Sequence, residues 1–240
     1  LNLLELKLTT FRRNNITGVM RWIPIESNPD VLNKFIRQLG VPKSVGFTDV
    51  LGVDPVLQAL VPKPVYALLL LYPINENVDS QKIGDVSVDE NCFFLKQTIS
   101  NACGTIAVLH ALANIRDKID TTNMTWLNNF IKQSQSLSPA ERGEKLEREQ
   151  ELSTMHEECA MEGQSEAPDA TAKVDLHFVT FVNCHGKLIE LDGRREGPVC
   201  HGTTSADSLL SDACNAAKKF MERDAENLLF SLIALTELQD

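Results

Sequence analysis

Residues 97–105 read Gln97-Thr98-Ile99-Ser100-Asn101-Ala102-Cys103-Gly104-Thr105, and they join a short apolar stretch, Phe93 to Gln97, to a strongly apolar one, Ala102 to about Arg116. The first has the length of a strand. The polar middle supplies a turn and a cap at Ser100 or Asn101, and the second stretch has the length of a helix. The first N–H groups of such a helix have no intrahelical acceptor and sit at the positive end of its dipole. Cys103 falls in that first turn, where a thiolate is favoured. Gly104 beside it has no side chain to block an approaching backbone. From position alone, a buried structural thiol near a helix cap is an equal reading.

Outward from this junction, the chain alternates irregularly. Met20 to Ile25 reads as a strand, and Asn28-Pro29 as cap and first-turn proline of a helix ending at Gly40. Val45 to Leu51 is strand-like, Asp54-Pro55 opens one or two helical turns, and Val65 to Tyr72 is a continuous apolar run, a strand buried on both faces. Ile74 to Asn91 reads as a loop. Thr125 to Ser134 predicts a helix, and Ser138-Pro139-Ala140-Glu141 is a capping box starting a charged helix to about Leu152. Residues 153–173 have no usable apolar period and read as a long loop. Val174 to Cys184 and Lys187 to Asp192 predict a hairpin. A helix to about Arg223 and a strand from Leu228 to Leu235 complete the pattern. The expected fold class is α/β, more narrowly α+β: a mixed or antiparallel sheet with helices packed on it, in one domain.

Cysteine chemistry needs a base. His177 lies inside the apolar strand Asp175-Leu176-His177-Phe178-Val179, where a packed core histidine is the common outcome. Asp192 ends the next strand. A turn centred on Cys184-His185 puts the two opposite each other, and one centred on His185-Gly186 makes Asp192 the diagonal neighbour. Both registers bring them to one face, while a three-residue loop would not. A carboxylate there orients the imidazole and supports its protonated form beside a thiolate. Gln97 precedes Cys103 by six residues, so its amide can point at the carbonyl oxygen under attack, with the Cys103 N–H as second donor. Papain-like thiol proteases are similar in this glutamine-to-cysteine spacing. His110, His156, His185 and His201 fit the role of base less well.

Composition narrows the partners. The chain carries 23 Lys and Arg against 33 Asp and Glu, a net charge of −10, which disfavours nucleic acid and anionic membrane surfaces. Hydrophobic residues at 43% of the 240 are enough for a real core. The longest apolar run, Val65 to Tyr72, is far short of the roughly 20 residues of a membrane span. The six cysteines form no CxxC pair, which argues against structural zinc and for free thiols in a reducing compartment. No metal or cofactor is expected. Residues 1–19, with scattered leucines and then Arg12 and Arg13, read as an extension or a cloning remnant ahead of Met20.

From Trp22 to Leu235 the chain resembles the short, single-domain ubiquitin C-terminal hydrolases. The matching segments are Arg21 to Glu26, Lys96 to Thr105, Val174 to Phe178, Glu190 to Arg194 and Lys219 to Asp224. The resemblance implies a papain-like fold, a central, largely antiparallel sheet flanked by helices, with a knotted chain path. It implies residues 20–240 as a single catalytic domain, with Cys103 as nucleophile, His177 as general base and acid, Asp192 as its orienter and Gln97 as oxyanion donor. The stretch 153–173, containing Glu162 to Pro168, would be a crossover loop over the cleft that passes only small or unfolded leaving groups. Ubiquitin is then the expected partner, bound in part by Glu26, Asp30 and Asp49, each of which also reads as a plain surface carboxylate. The implied activity is a thiol hydrolase that frees ubiquitin's C-terminal glycine. The alternative is a non-catalytic ubiquitin-binding or ubiquitin-stabilising module. A cytoplasmic monomer, with the nucleus as a second location, is the matching expectation.

Overall fold

The computed structural model describes residues 20–75, 83–86, 92–163 and 174–238. In chain order its elements are α1 (Pro29–Gln38), β1 (Val45–Asp49), α2 (Pro55–Gln58), β2 (Val65–Pro73), β3 (Asp85–Val86), α3 (Cys103–Asn114), α4 (Thr125–Gln133), α5 (Pro139–Leu146), α6 (Gln150–Ala160), β4 (Leu176–Cys184), β5 (Lys187–Leu191), β6 (Val199–Thr203), α7 (Leu209–Glu222) and β7 (Ser231–Glu237). Among the described residues the strands form one sheet of seven, in the order β1-β7-β2-β4-β5-β6-β3. Every neighbouring pair is antiparallel.

The apolar run of β2 occupies the middle of the sheet, where both faces are covered. Alternate residues therefore feed two separate cores. Ala67 and Leu69 of β2, with Phe178 and Val182 of β4, pack with α3 on one face. Leu68 and Leu70, with Val179 and Phe181, pack with α7 on the other. Leu68, Leu69 and Leu70 are wholly buried, each contributing about 1.5–3 kcal/mol of apolar burial. The caps predicted at two helices are made: the Asn28 side chain accepts the Asp30 N–H, and Ser138 and Glu141 form a reciprocal capping box.

Several elements differ from the sequence reading. Residues 20–25 form no strand. Arg21 makes an isolated parallel bridge with Ser100, with Trp22 N–H donating to the Ser100 carbonyl at 3.0 Å. Phe93 to Gln97 is also not a strand, because side chains rather than a neighbouring strand satisfy much of its backbone. The charged helix predicted to Leu152 is two helices, α5 and α6, so the expected loop over 153–173 is helical to Ala160. Its period is hard to read because the buried positions of α6 are Leu152, His156, Cys159 and Ala160, and the histidine interrupts the apolar stripe. The rest of that loop, 164–173, lies outside the described residues, as does the part of the expected knotted path that runs through it. The extension expected over residues 1–19 also lies outside them. The last strand begins at Ser231, not Leu228, and β3 adds a short strand within the loop predicted from Ile74. The cysteines are not all free. Cys92 and Cys184 form a disulfide with an S–S distance of 2.07 Å, joining the start of the 93–97 segment to the end of β4.

Candidate active site

Helix α3 begins at Cys103, and its cap position is Ala102, whose side chain cannot accept a hydrogen bond. The cap position thus falls one or two residues beyond the Ser100 or Asn101 expected, and a helix start of this kind favours an anion. Asn101 adopts a left-handed φ of 62°, turning the chain into the helix. The backbone N–H groups of Phe178 and Gly104 favour the charged form of the Cys103 sulfur. Burial by itself raises the thiol pKa, but a hydrogen bond and charge interaction with His177, then these two N–H groups, bring it below its ordinary value.

His177 and Asp192 meet as the hairpin geometry predicts. Strand β4 pairs Cys184 with Lys187 and Thr180 with Leu191, so the turn is the two-residue one centred on His185-Gly186. Both turn residues have positive φ, 51° and 81°, as a type I′ turn requires. Of the two registers read from the sequence, this is the diagonal one, and His177 Nε2 lies 2.6 Å from Asp192 Oδ1. Asp192 Oδ1 also accepts the Arg194 N–H at 2.8 Å. With Nε2 held by the carboxylate, Nδ1 is the ring nitrogen left for the Cys103 thiol. Burial pulls the His177 pKa down, but the bonds and charges of Asp192 and Cys103 outweigh it and carry the group up to about 9. Burial pushes the Asp192 carboxyl up, and His177, the Arg194 N–H and the Arg194 charge bring it below its ordinary value. Cys103 is 9% exposed against 3% for His177 and Asp192, so all three residues are buried and the cysteine is the most open of them. The Tyr72 ring stands edge-on to His177 at 5.9 Å and closes its outer side.

Gln97 is held by an unusual frame. Its N–H donates to the Gly193 carbonyl at 2.9 Å. A Cβ at Gly193 would lie 2.9 Å from the Gln97 Cβ, so glycine is what lets the two segments approach. Upstream, Asn114 accepts the Phe93 N–H and donates to the Phe93 carbonyl, Arg142 donates to the Phe94 carbonyl, His110 Nε2 accepts the Leu95 N–H, and the Pro139 carbonyl accepts the Lys96 N–H. The Gln97 amide donates to the Ile99 carbonyl at 3.0 Å, which uses one of its two amide hydrogens. Sequence reasoning passed over His110, Asn114 and Arg142. A readable signal existed: His110 and Asn114 are polar residues four apart in an otherwise apolar helix, hence on one face. Burial lowers the His110 pKa to about 4, so it is neutral and able to accept. His156 is likewise buried with a pKa lowered to about 4; it bonds Thr105 and the Ile23 carbonyl rather than serving as a base.

The acidic trio divides. Asp30 and Asp49 are exposed, whereas Glu26 is half-buried with Oε1 accepting from Asn28. The Ser27 and Ser231 hydroxyls bond at 2.8 Å, and Asp49 pairs with Ile233, so all three lie near the start of β7. That end of the sheet also carries exposed apolar side chains, Leu51, Leu228 and Leu229, which the sequence reading missed. Ser231 is registered with Leu71, and the adjacent Tyr72 with His177, so this patch shares the sheet end that bears the site. Among the described residues, no three His, Cys, Asp or Glu side chains converge to hold a metal ion, and no helix is long and apolar enough to cross a membrane.

Comparison with known proteins places the chain in a family. Residues 22–222 match the family described as ubiquitin carboxyl-terminal hydrolase, family 1. A ubiquitin carboxyl-terminal hydrolase of Aplysia californica is 47% identical over 208 residues, covering 86% of this chain and 97% of that one. Isozyme L1 of Rattus norvegicus is 40% identical over 222 residues, covering 90% and 98%. In three dimensions the chain resembles the UCH37 catalytic domain of Trichinella spiralis, solved with ubiquitin vinyl methyl ester, with a TM-score of 0.75, 25% identity, and coverage of 90% and 96%.

Proposed function

Since the chain belongs to ubiquitin carboxyl-terminal hydrolase family 1, a family of cysteine peptidases, we propose that it hydrolyses bonds to the C-terminal glycine of ubiquitin with Cys103 as nucleophile. What supports this reading most is the His177–Asp192 pair at 2.6 Å, with His177 raised and the Cys103 thiol lowered by their interaction. The thiolate attacks the glycine carbonyl. The Gln97 amide, turning from the Ile99 carbonyl, and the Cys103 N–H stabilise the oxyanion. His177 then passes its proton to the leaving amine or thiol, and the acyl group stays on sulfur as a thioester. His177 next takes a proton from water, and hydroxide attack releases ubiquitin and restores the thiol.

The partner reading rests on charge and apolar surface together. A chain of net charge −10 attracts a basic partner at long range. Glu26, Asp30 and Asp49 would give that attraction a local target, and Leu51, Leu228 and Leu229 would bury against an apolar face of a folded protein. The test is turnover of a ubiquitin C-terminal amide reporter. The proposal expects release by the parent protein and none by Cys103→Ala. A silent parent, or an alanine variant that turns over equally well, would remove it.

A further inference from the structure

A second sulfur centre lies well away from the nucleophile. A cavity of about 740 Å³ is lined by Ala113 and Asn114 at the far end of α3, and by Cys92 and Cys184, the two halves of the disulfide. Helix α3 starts at Cys103, so at 1.5 Å per residue the cavity is about 15 Å from the candidate active site. Three cationic side chains, Arg116, Lys118 and Arg142, line the same cavity against one carboxylate, Asp117. In a chain of net charge −10 this is a local reversal of sign. The Arg142 guanidinium is occupied by the Ser134, Phe94 and Gln135 carbonyls, but the buried Arg116 Nε has no hydrogen-bond acceptor among the described residues.

We propose that this cavity is a thiol–disulfide exchange site that admits a small anionic thiol to the Cys92–Cys184 bond. The cationic wall concentrates an anionic reductant beside the disulfide and stabilises the cysteine thiolate that leaves. A thiolate RS⁻ attacks one cysteine sulfur. The Cys92–Cys184 bond breaks, a mixed RS–S–Cys bond forms, and the other cysteine departs as thiolate. A second RS⁻ attacks the R-bearing sulfur, giving RSSR and the second cysteine thiolate, so two thiols supply the two electrons that reduce the disulfide. The reverse steps, with RSSR as oxidant, rebuild it. Asn114, Arg142, His110 and Gly193 also hold the backbone of the Gln97 segment, which begins next to Cys92.

The test uses the full chain with Cys103→Ala, so that the nucleophile does not report. Peptide mapping by mass spectrometry follows the loss of the Cys92–Cys184 cross-linked peptide with glutathione (anionic), 2-mercaptoethanol (neutral) and cysteamine (cationic). Rates are taken at equal thiolate concentration and normalised to each thiol's rate with a small neutral disulfide. The expected result is a preference for glutathione over cysteamine of about tenfold at low salt, shrinking as salt rises, since focused fields act on this scale and are screened. Arg116→Ala with Lys118→Ala should erase the preference, slowing glutathione more than 2-mercaptoethanol and 2-mercaptoethanol more than cysteamine. Failure to find the cross-linked peptide in non-reduced protein, equal normalised rates at low salt, or a preference that survives the double substitution overturns the proposal. Should the double variant not fold, the salt series on the parent cavity decides by itself.

Discussion

Changing Asp192→Asn keeps the shape of the candidate site and removes one charge. The Asn oxygen can still accept from His177 Nε2 and from the Arg194 N–H, both of which approach Oδ1. His177 titrates at about 9 although burial alone would lower it, against an ordinary value of about 6.5. At ~1.4 kcal/mol per pH unit, its partners outweigh burial by roughly 3 kcal/mol. The Asp192 hydrogen bond is the largest of the raising interactions, and a hydrogen bond between two charged groups is worth about 2–3 kcal/mol, most of which a neutral acceptor loses. The expected loss in kcat/KM on a ubiquitin amide reporter is then roughly 30- to 150-fold at neutral pH. The pH profile gives a second, independent reading. Activity requires a thiolate and an imidazolium together, so the alkaline limb of the parent follows His177 near 9. In the variant the His177 pKa falls, and that limb moves to lower pH. A variant within threefold of the parent, with its alkaline limb unmoved, would refute the assignment of Asp192.

Three further outcomes follow from the same interactions. Gln97→Ala should lower kcat by about 10²–10³-fold with KM nearly unchanged, because the amide acts on the oxyanion and not on the bound ground state; a loss confined to KM contradicts it. Stability measured by urea denaturation should peak near pH 6.5. His110 and His156 have folded pKa values of about 4, so the unfolded chain binds the extra protons and stability is lost as pH falls from about 6.5 towards 4. His177 acts with the opposite sign: its contribution is full below about 6.5 and is lost as pH rises through about 9. A profile flat from pH 4 to 9 contradicts this. Finally, Cys92→Ser with Cys184→Ser opens a loop spanning a sequence separation of 92, which should cost about 2–4 kcal/mol in non-reducing urea titration and nothing in reductant. Equal midpoints without reductant would contradict the bridge.

The parts of the site that share a local rule were legible in the chain. Cys103 at a helix start follows from the break between polar and apolar residues. The pairing of His177 with Asp192 follows from a two-residue turn and the two-residue period of strands, and the diagonal register is the one found. The frame of Gln97 was not legible, because Phe93 to Gln97 has strand composition but takes its hydrogen bonds from Asn114, Arg142, His110 and loop carbonyls. Sequence spacing does not encode which distant side chain will satisfy a backbone. Helix α6 was missed because His156 interrupts its buried stripe of Leu152, Cys159 and Ala160 at a position where a hydrophobicity pattern expects an apolar residue. The disulfide joins residues far apart in the chain with no motif to announce them. The apolar patch at Leu51, Leu228 and Leu229 depends on β1 and β7 being neighbours, a long-range pairing that local patterns do not determine.

The ionisation of Cys103 by His177 is open to direct measurement through the pH dependence of its alkylation by a small neutral electrophile, with the labelled peptide quantified site by site. The account predicts a midpoint below the ordinary thiol value of about 8.5 for the parent, and a higher midpoint for His177→Ala, where only the backbone N–H groups of Phe178 and Gly104 oppose burial. Identical midpoints in the two proteins, or a parent that reacts only above the ordinary value, would contradict it.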